Sequence, residues 1–177
     1  MFGHLRKLVG GKAHKQDPAR SWYDEIMAKA REPGPFQIGA VDDTLEGRFV
    51  MVSLVSTLVL RCLREVGPEG RDLADGVYRE VFSGFDYGLR EEGVGDSSIA
   101  RKIRKMGEEF FGLARAIDAV LSGEKDEPLA EVLERNGVAN AGYGPDLAEW
   151  ARARVTELEA LDSVGLLNAE ISWAHSA

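Results

Sequence analysis

The chain has 177 residues, enough for one domain with a sizeable core, and its 44% hydrophobic and 29% charged content is that of an ordinary folded protein. A net charge of −8 argues against nucleic acid as a direct partner, because phosphate binding needs a basic surface. The single cysteine excludes an internal disulfide and, with no secretory signal, predicts a reducing, cytoplasmic setting in a bacterium.

Residues 1–16 carry Arg6, Lys7, Lys12 and Lys15 and no acid, which leaves 18 basic against 30 acidic side chains in residues 17–177. Phe2, Leu5, Leu8 and Val9 stand at helical spacing among those bases. Two readings fit: a short amphipathic helix in peripheral contact with an anionic membrane, or a disordered basic tail ended by Gly10-Gly11. Asp17-Pro18 predicts a helix start, with Asp as N-cap and Pro at the first helical position. Trp22, Tyr23, Ile26, Met27 and Ala30 form its apolar face, and Pro33-Gly34-Pro35 ends it in a loop to about Asp42.

Asp43-Thr-Leu-Glu46 resembles a capping box and opens the most apolar helix. From Phe49 to Leu60 there are twelve residues without a charge, flanked by Arg48 and Arg61. That is too short to cross a bilayer, which needs about 20 residues, so it predicts the buried centre of a bundle, with Cys62 a small core residue. Gly67-Pro68 closes it. A further helix, Arg71 to Glu91, turns Leu73, Val77, Val81, Phe85 and Leu89 inward. Gly76, Gly84 and Gly88 lie along another line on it, a bare stripe that suits close approach of a second helix.

The stretch from Phe85 to Asp96 reads as a corner between two long helices. Gly93 can take the left-handed conformation that stops the first, Gly95 completes the turn, and Asp96 is expected to cap the second. Asp86 and Arg90 stand four apart with the acid first, the favourable order for an ion pair. Ile99, Ile103, Met106, Phe110, Leu113, Ile117 and Val120 then mark the clearest amphipathic helix in the chain, with Arg101, Lys102, Arg104 and Lys105 on its polar face. Two more helices are predicted, from Asp126 to Arg135 with Asn136-Gly137 as terminator, and from Pro145 to Leu161. Leu166, Leu167, Ile171 and Trp173 are apolar enough to lie over the bundle. The fold expected is all-α: one helical bundle of about six helices over 17–177, behind a basic tail over 1–16.

Catalytic patterns are missing. Gly93-Val-Gly95 lacks the third glycine and the preceding strand of a dinucleotide loop, and no Gly-Lys-Ser/Thr forms a phosphate loop. His4, His14 and His175 lie near the ends, too scattered for a metal or haem site, and no serine sits in a Gly-x-Ser-x-Gly elbow. Neither an enzyme nor a cofactor is predicted.

Leu89-Arg-Glu-Glu-Gly-Val-Gly-Asp96, followed by Ile99, Lys102-Ile-Arg-Lys-Met106 and Phe110-Phe-Gly112, resembles the signature of the ubiquinol–cytochrome c chaperone family. Ala28-Lys-Ala-Arg-Glu-Pro33, Val41-Asp-Asp-Thr-Leu-Glu-Gly-Arg-Phe49 and the segment from Leu129 to Asn136 are similar to its other motifs. This chain departs from the pattern with Val55 in place of a histidine, and with Phe111, Leu113 and Ile117 where tyrosine, arginine and tyrosine are common. The resemblance implies a non-enzymatic, all-helical assembly factor of the cytochrome bc1 complex that acts on newly made cytochrome b or another bc1 subunit. A small partner protein and the ribosome are the further contacts it implies, while peripheral contact with the bacterial inner membrane is the expectation from the basic segment 1–16. At the corner it leaves two roles open: a turn held for structure, or a charged rim for a partner made of Arg90, Glu91, Asp96, Lys102 and Lys105 around Gly93 and Gly95. The alternative function is a helical adaptor unconnected to respiration.

Overall fold

Twelve uncharged residues in one helix must be covered on every side, and the computed structural model, which describes residues 17–173, is arranged to do so. The elements in order are α1 (Pro18–Ala30), α2 (Gly34–Gln37), α3 (Leu45–Glu65), α4 (Pro68–Glu91), α5 (Asp96–Leu121), α6 (Leu129–Arg135), α7 (Gly144–Glu159) and α8 (Ser163–Asn168). The six long or medium helices are those expected from the sequence. The basic segment 1–16 and the last four residues, with all three histidines, lie outside the described residues.

α3 is the axis. α1, α4, α5, α7 and α8 all pack on it, and Leu54 to Leu60 are buried without a break, Val55 completely. Only Phe49, Val50 and Ser53 of its charge-free run keep partial exposure, near its first turns. Cys62 is buried in the same core, and burial pushes its thiol up to about 11, so it stays protonated and inert at neutral pH. Arg61, at the end of the run, is mostly buried and reaches Glu65 at 3.1 Å, Asp118 at 3.2 Å and Glu159 at 3.4 Å, joining the ends of α3, α5 and α7.

Local chemistry explains the boundaries and corrects several expectations. Asp17 caps α1, its Oδ1 accepting from the Ala19 amide at 3.1 Å, with Pro18 at the first position. α3 is capped by Thr44, whose Oγ1 accepts from the Gly47 amide at 3.1 Å. Asp43 therefore stands outside the helix and binds Arg48 Nε at 2.8 Å, so a cap from Asp43 does not form. The loop expected over 34–42 contains the short turn α2, set by Pro35. α4 begins at Pro68 rather than Arg71, because Pro68 opens it at the first helical position. α6 begins at Leu129 rather than Asp126, with Pro128 as N-cap residue.

The glycine stripe on α4 is the seat of α1. A Cβ on Gly76 would come 3.1 Å from Ala19 Cβ, and one on Gly84 would strike Tyr23 Oη at 2.6 Å. Gly88 faces Phe49 of α3 at 3.5 Å. α8 closes over α1 through Trp22, whose Nε1 donates to the Leu166 carbonyl at 2.8 Å. No helix of the described residues is long and apolar enough to cross a membrane.

Val55→Asp places an unpaired carboxylate in the completely buried stretch of α3. It should destabilise the fold by at least about 3 kcal/mol and lower the melting midpoint by roughly 10 °C. A variant that melts like the parent would show that α3 is not the core of the bundle.

Candidate partner-binding cleft

The corner between α4 and α5 is built by backbone hydrogen bonds. The Val94 amide donates to the Leu89 carbonyl at 3.1 Å and the Gly93 amide to the Arg90 carbonyl at 3.0 Å, the two bonds of a Schellman motif. That geometry requires the left-handed conformation at the turn residue, and Gly93 has φ 76°. Gly95 is the N-cap residue of α5, in extended conformation, and Asp96 is the first residue inside the helix. Asp96 thus supplies no side-chain cap. It is 87% exposed and accepts instead from Arg90 Nη1 at 2.7 Å, while Arg90 Nε binds Asp86 at 2.7 Å, so Arg90 clasps the two sides of the corner. Glu91 faces away and accepts from Tyr87 Oη at 2.8 Å.

Beside the corner lies an open cleft of about 640 Å³. One wall is the start of α3, with Leu45, Glu46, Phe49 and Val50; the other is the middle of α5, with Lys102, Lys105, Met106, Glu109, Phe110 and Leu113. Leu89, Glu92 and Val94 close one end, and the turn from Asn136 to Val138 contributes another edge. Phe49, Phe85, Phe82 and Phe110 form a chain of edge-on ring contacts 5.2–5.6 Å apart beneath it, fixing α3, α4 and α5 relative to one another. The residues expected to form one rim are divided. Lys102 and Lys105 line this cleft; Arg90 and Asp96 are outside it, occupied with each other; Glu91 lines a second depression of about 450 Å³ with Tyr23, Gly84 and Gly88. Of the charged groups of the main cleft, Glu46 and Glu92 come from α3 and the end of α4, while α5 contributes Lys102, Lys105 and Glu109. Lys105 approaches Glu109 at 3.4 Å; among the described residues Glu46, Glu92 and Lys102 have no ion-pair partner.

Two structural features behind the cleft escape sequence reasoning. The first is the approach to α3. A Cβ on Gly47 would lie 1.9 Å from the Asp42 carbonyl oxygen, and Asn140 Nδ2 donates to Asp42 Oδ1 at 2.8 Å and to the Gly39 carbonyl at 3.0 Å. These contacts turn the segment Val41–Phe49 into a knot that aims Phe49 and Val50 at the cleft. The second is a buried ionic cluster joining α1 to α7. Lys29 pairs with Glu32, Arg154 Nη1 lies 3.6 Å from the other Glu32 oxygen, and Arg154 Nε lies 2.9 Å from Glu157. Trp173 and Trp150 cover Lys29 and Arg154 at 5.4 and 5.2 Å. A lysine on the Trp22–Ile26–Ala30 face was the available signal for it. Among the described residues no group of three or more His, Cys, Asp or Glu is placed to hold a metal.

Of the family departures, Val55, Leu113 and Ile117 are buried, while Phe111 is 47% exposed and stacks on Tyr78 at 5.4 Å. Leu113 makes the floor of the cleft apolar at that point.

Because Asp96 is not the cap, Asp96→Ala should leave the melting midpoint close to the parent's. Gly93→Ala forces a Cβ into a left-handed turn and should lower it by about 2–4 °C or more. Equal losses in the two variants would mean that the Asp96 side chain holds the helix start after all.

Residues 37–173 match the family model described as Ubiquinol-cytochrome C chaperone. A solved structure titled the crystal structure of the Cbp3 homolog from Brucella abortus is similar in fold, with a TM-score of 0.77 and 27% sequence identity, covering 90% of this chain and 90% of that one. No curated protein sequence matches the chain. The family model spans the corner, both walls of the cleft and the knot that precedes α3, and on that match the chain belongs to the ubiquinol-cytochrome C chaperone family.

Proposed function

We propose that this chain is an assembly chaperone of the cytochrome bc1 complex that holds newly made cytochrome b in the cleft between α3 and α5. Family membership supports the chaperone role and points away from catalysis. The observation that carries the choice of surface is the origin of its lining. Leu89, Val94, Lys102, Lys105, Met106 and Phe110 belong to the corner motif, while Leu45, Glu46 and Phe49 belong to the motif upstream. Two motifs some forty residues apart in sequence thus meet on one concave, partly apolar surface.

The chemistry suits temporary holding. An apolar floor gives affinity to a client segment whose partner subunit has not yet arrived, and an open, charged edge lets it leave again. Contact of the basic segment 1–16 with an anionic bilayer would bring the chaperone to the membrane that receives the client. A small partner protein or the ribosome fits the same arrangement as an additional contact.

Lys102→Glu/Lys105→Glu alters only exposed side chains of α5, so the variant should accumulate and melt normally. In cells making cytochrome b, the double variant should lose co-purification of that subunit and fail to support assembly of the bc1 complex. Normal assembly and recovery of cytochrome b with the variant would refute the cleft as the client surface.

A further inference from the structure

Resting on that reading of the cleft, we infer that its occupant is an amphipathic helix carrying both acidic and basic residues beside its apolar face, a water-facing segment of the client rather than a membrane span. The floor alone does not distinguish these, because Phe49, Met106 and Leu113 would accept either. The edges do. Glu46 on one side, Glu92 at the closed end and Lys102 on the other side have no ion-pair partner among the described residues, and Lys105 is held only by an exposed contact with Glu109. A membrane span laid in the cleft would cover these charges with hydrocarbon and leave them unpaired, which opposes binding. A helix with lysine or arginine toward α3 and glutamate or aspartate toward α5 would pair them, while its apolar residues at every third or fourth position enter the floor.

Glu109 on the α5 wall is engaged by Lys105, and the charges left without an ion-pair partner come from different elements, Glu46 from α3 and Lys102 from α5, so a segment of a single sign would gain at one wall and lose at the other. The preference is therefore for mixed charge, and not for a generally basic or acidic partner. Either arrangement of the two flanks can meet it, since reversing the helix exchanges them and one of the two directions sets each flank against the wall of opposite charge.

The test uses the full chain and four labelled peptides of about 18 residues, five helical turns, that share one apolar face. Their flanks carry Glu on one side and Lys on the other, Lys on both, Glu on both, or Gln on both. Fluorescence anisotropy at low salt should show the mixed peptide binding about tenfold more tightly than the Gln peptide, with the difference shrinking as salt rises toward about 0.5 M. Lys102→Glu/Lys105→Glu should make the all-Lys peptide the tightest binder. Binding of the Gln peptide as tightly as the mixed one, or binding of none of the four, would overturn the inference. Co-purification of cytochrome b that depends on the cleft would in that case still stand, so failure here is separable from failure of the chaperone reading.

Discussion

A helix with no charge over twelve residues has no side to offer water, and the rest of the fold follows from covering α3. α1 and α4 cover it most closely, and they can do so because Gly76 and Gly84 let Ala19 and Tyr23 approach the α4 backbone. α5, α7 and α8 complete the cover over its middle and far end, where Leu54 to Leu60 are fully enclosed. At the near end the cover stops. Phe49, Val50 and Ser53 keep partial exposure because α4 has already ended at Glu91 and the chain is turning through Gly93 into α5. The cleft is that unfinished part of the core, so the constraint that makes the fold also makes the cleft.

Polar groups inside the bundle do a different job. Lys29 and Arg154 are buried, yet each lies against a carboxylate and a tryptophan ring, so their charge is compensated where it sits. Such a cluster adds little net stability compared with an apolar packing, and it ties the end of α1 to α7 through Glu32 and Arg154. Arg61 acts similarly at the opposite end of α3, where three carboxylates from three elements converge. These ties hold the frame around the cleft in one arrangement.

How much of this was readable in the sequence depended on the range of the interaction. The buried character of α3 was plain in its missing charges, and the stops at Gly93 and Gly137 were plain because a left-handed turn selects glycine, which both positions use. Asp17 was correctly placed as a cap, but Asp96 and Asp43 were not. Side-chain type cannot say which of two neighbouring residues is the last with extended backbone; Gly95 and Thr44 are those residues, and each carboxylate turned to an arginine instead. The candidate rim is divided because its residues come from different helices on either side of the corner: Glu91, at the end of α4, and Lys102, on α5, line separate depressions. Contacts across a hundred residues, such as Asn140 with Asp42 or Arg154 with Glu32, leave no local pattern to read. The family resemblance reached further because its motifs are the residues of the corner and the knot.

The proposed role of the cleft between α3 and α5 is to meet cytochrome b. Site-specific photo-crosslinking in cells assembling the bc1 complex tests it most directly, with a benzophenone side chain placed at Met106 on the cleft wall and, separately, at the exposed Phe111, about one and a half turns further along and on a different side of α5. The account predicts a cytochrome b adduct from position 106 and little or none from position 111. Adducts from 111 without any from 106 would contradict it.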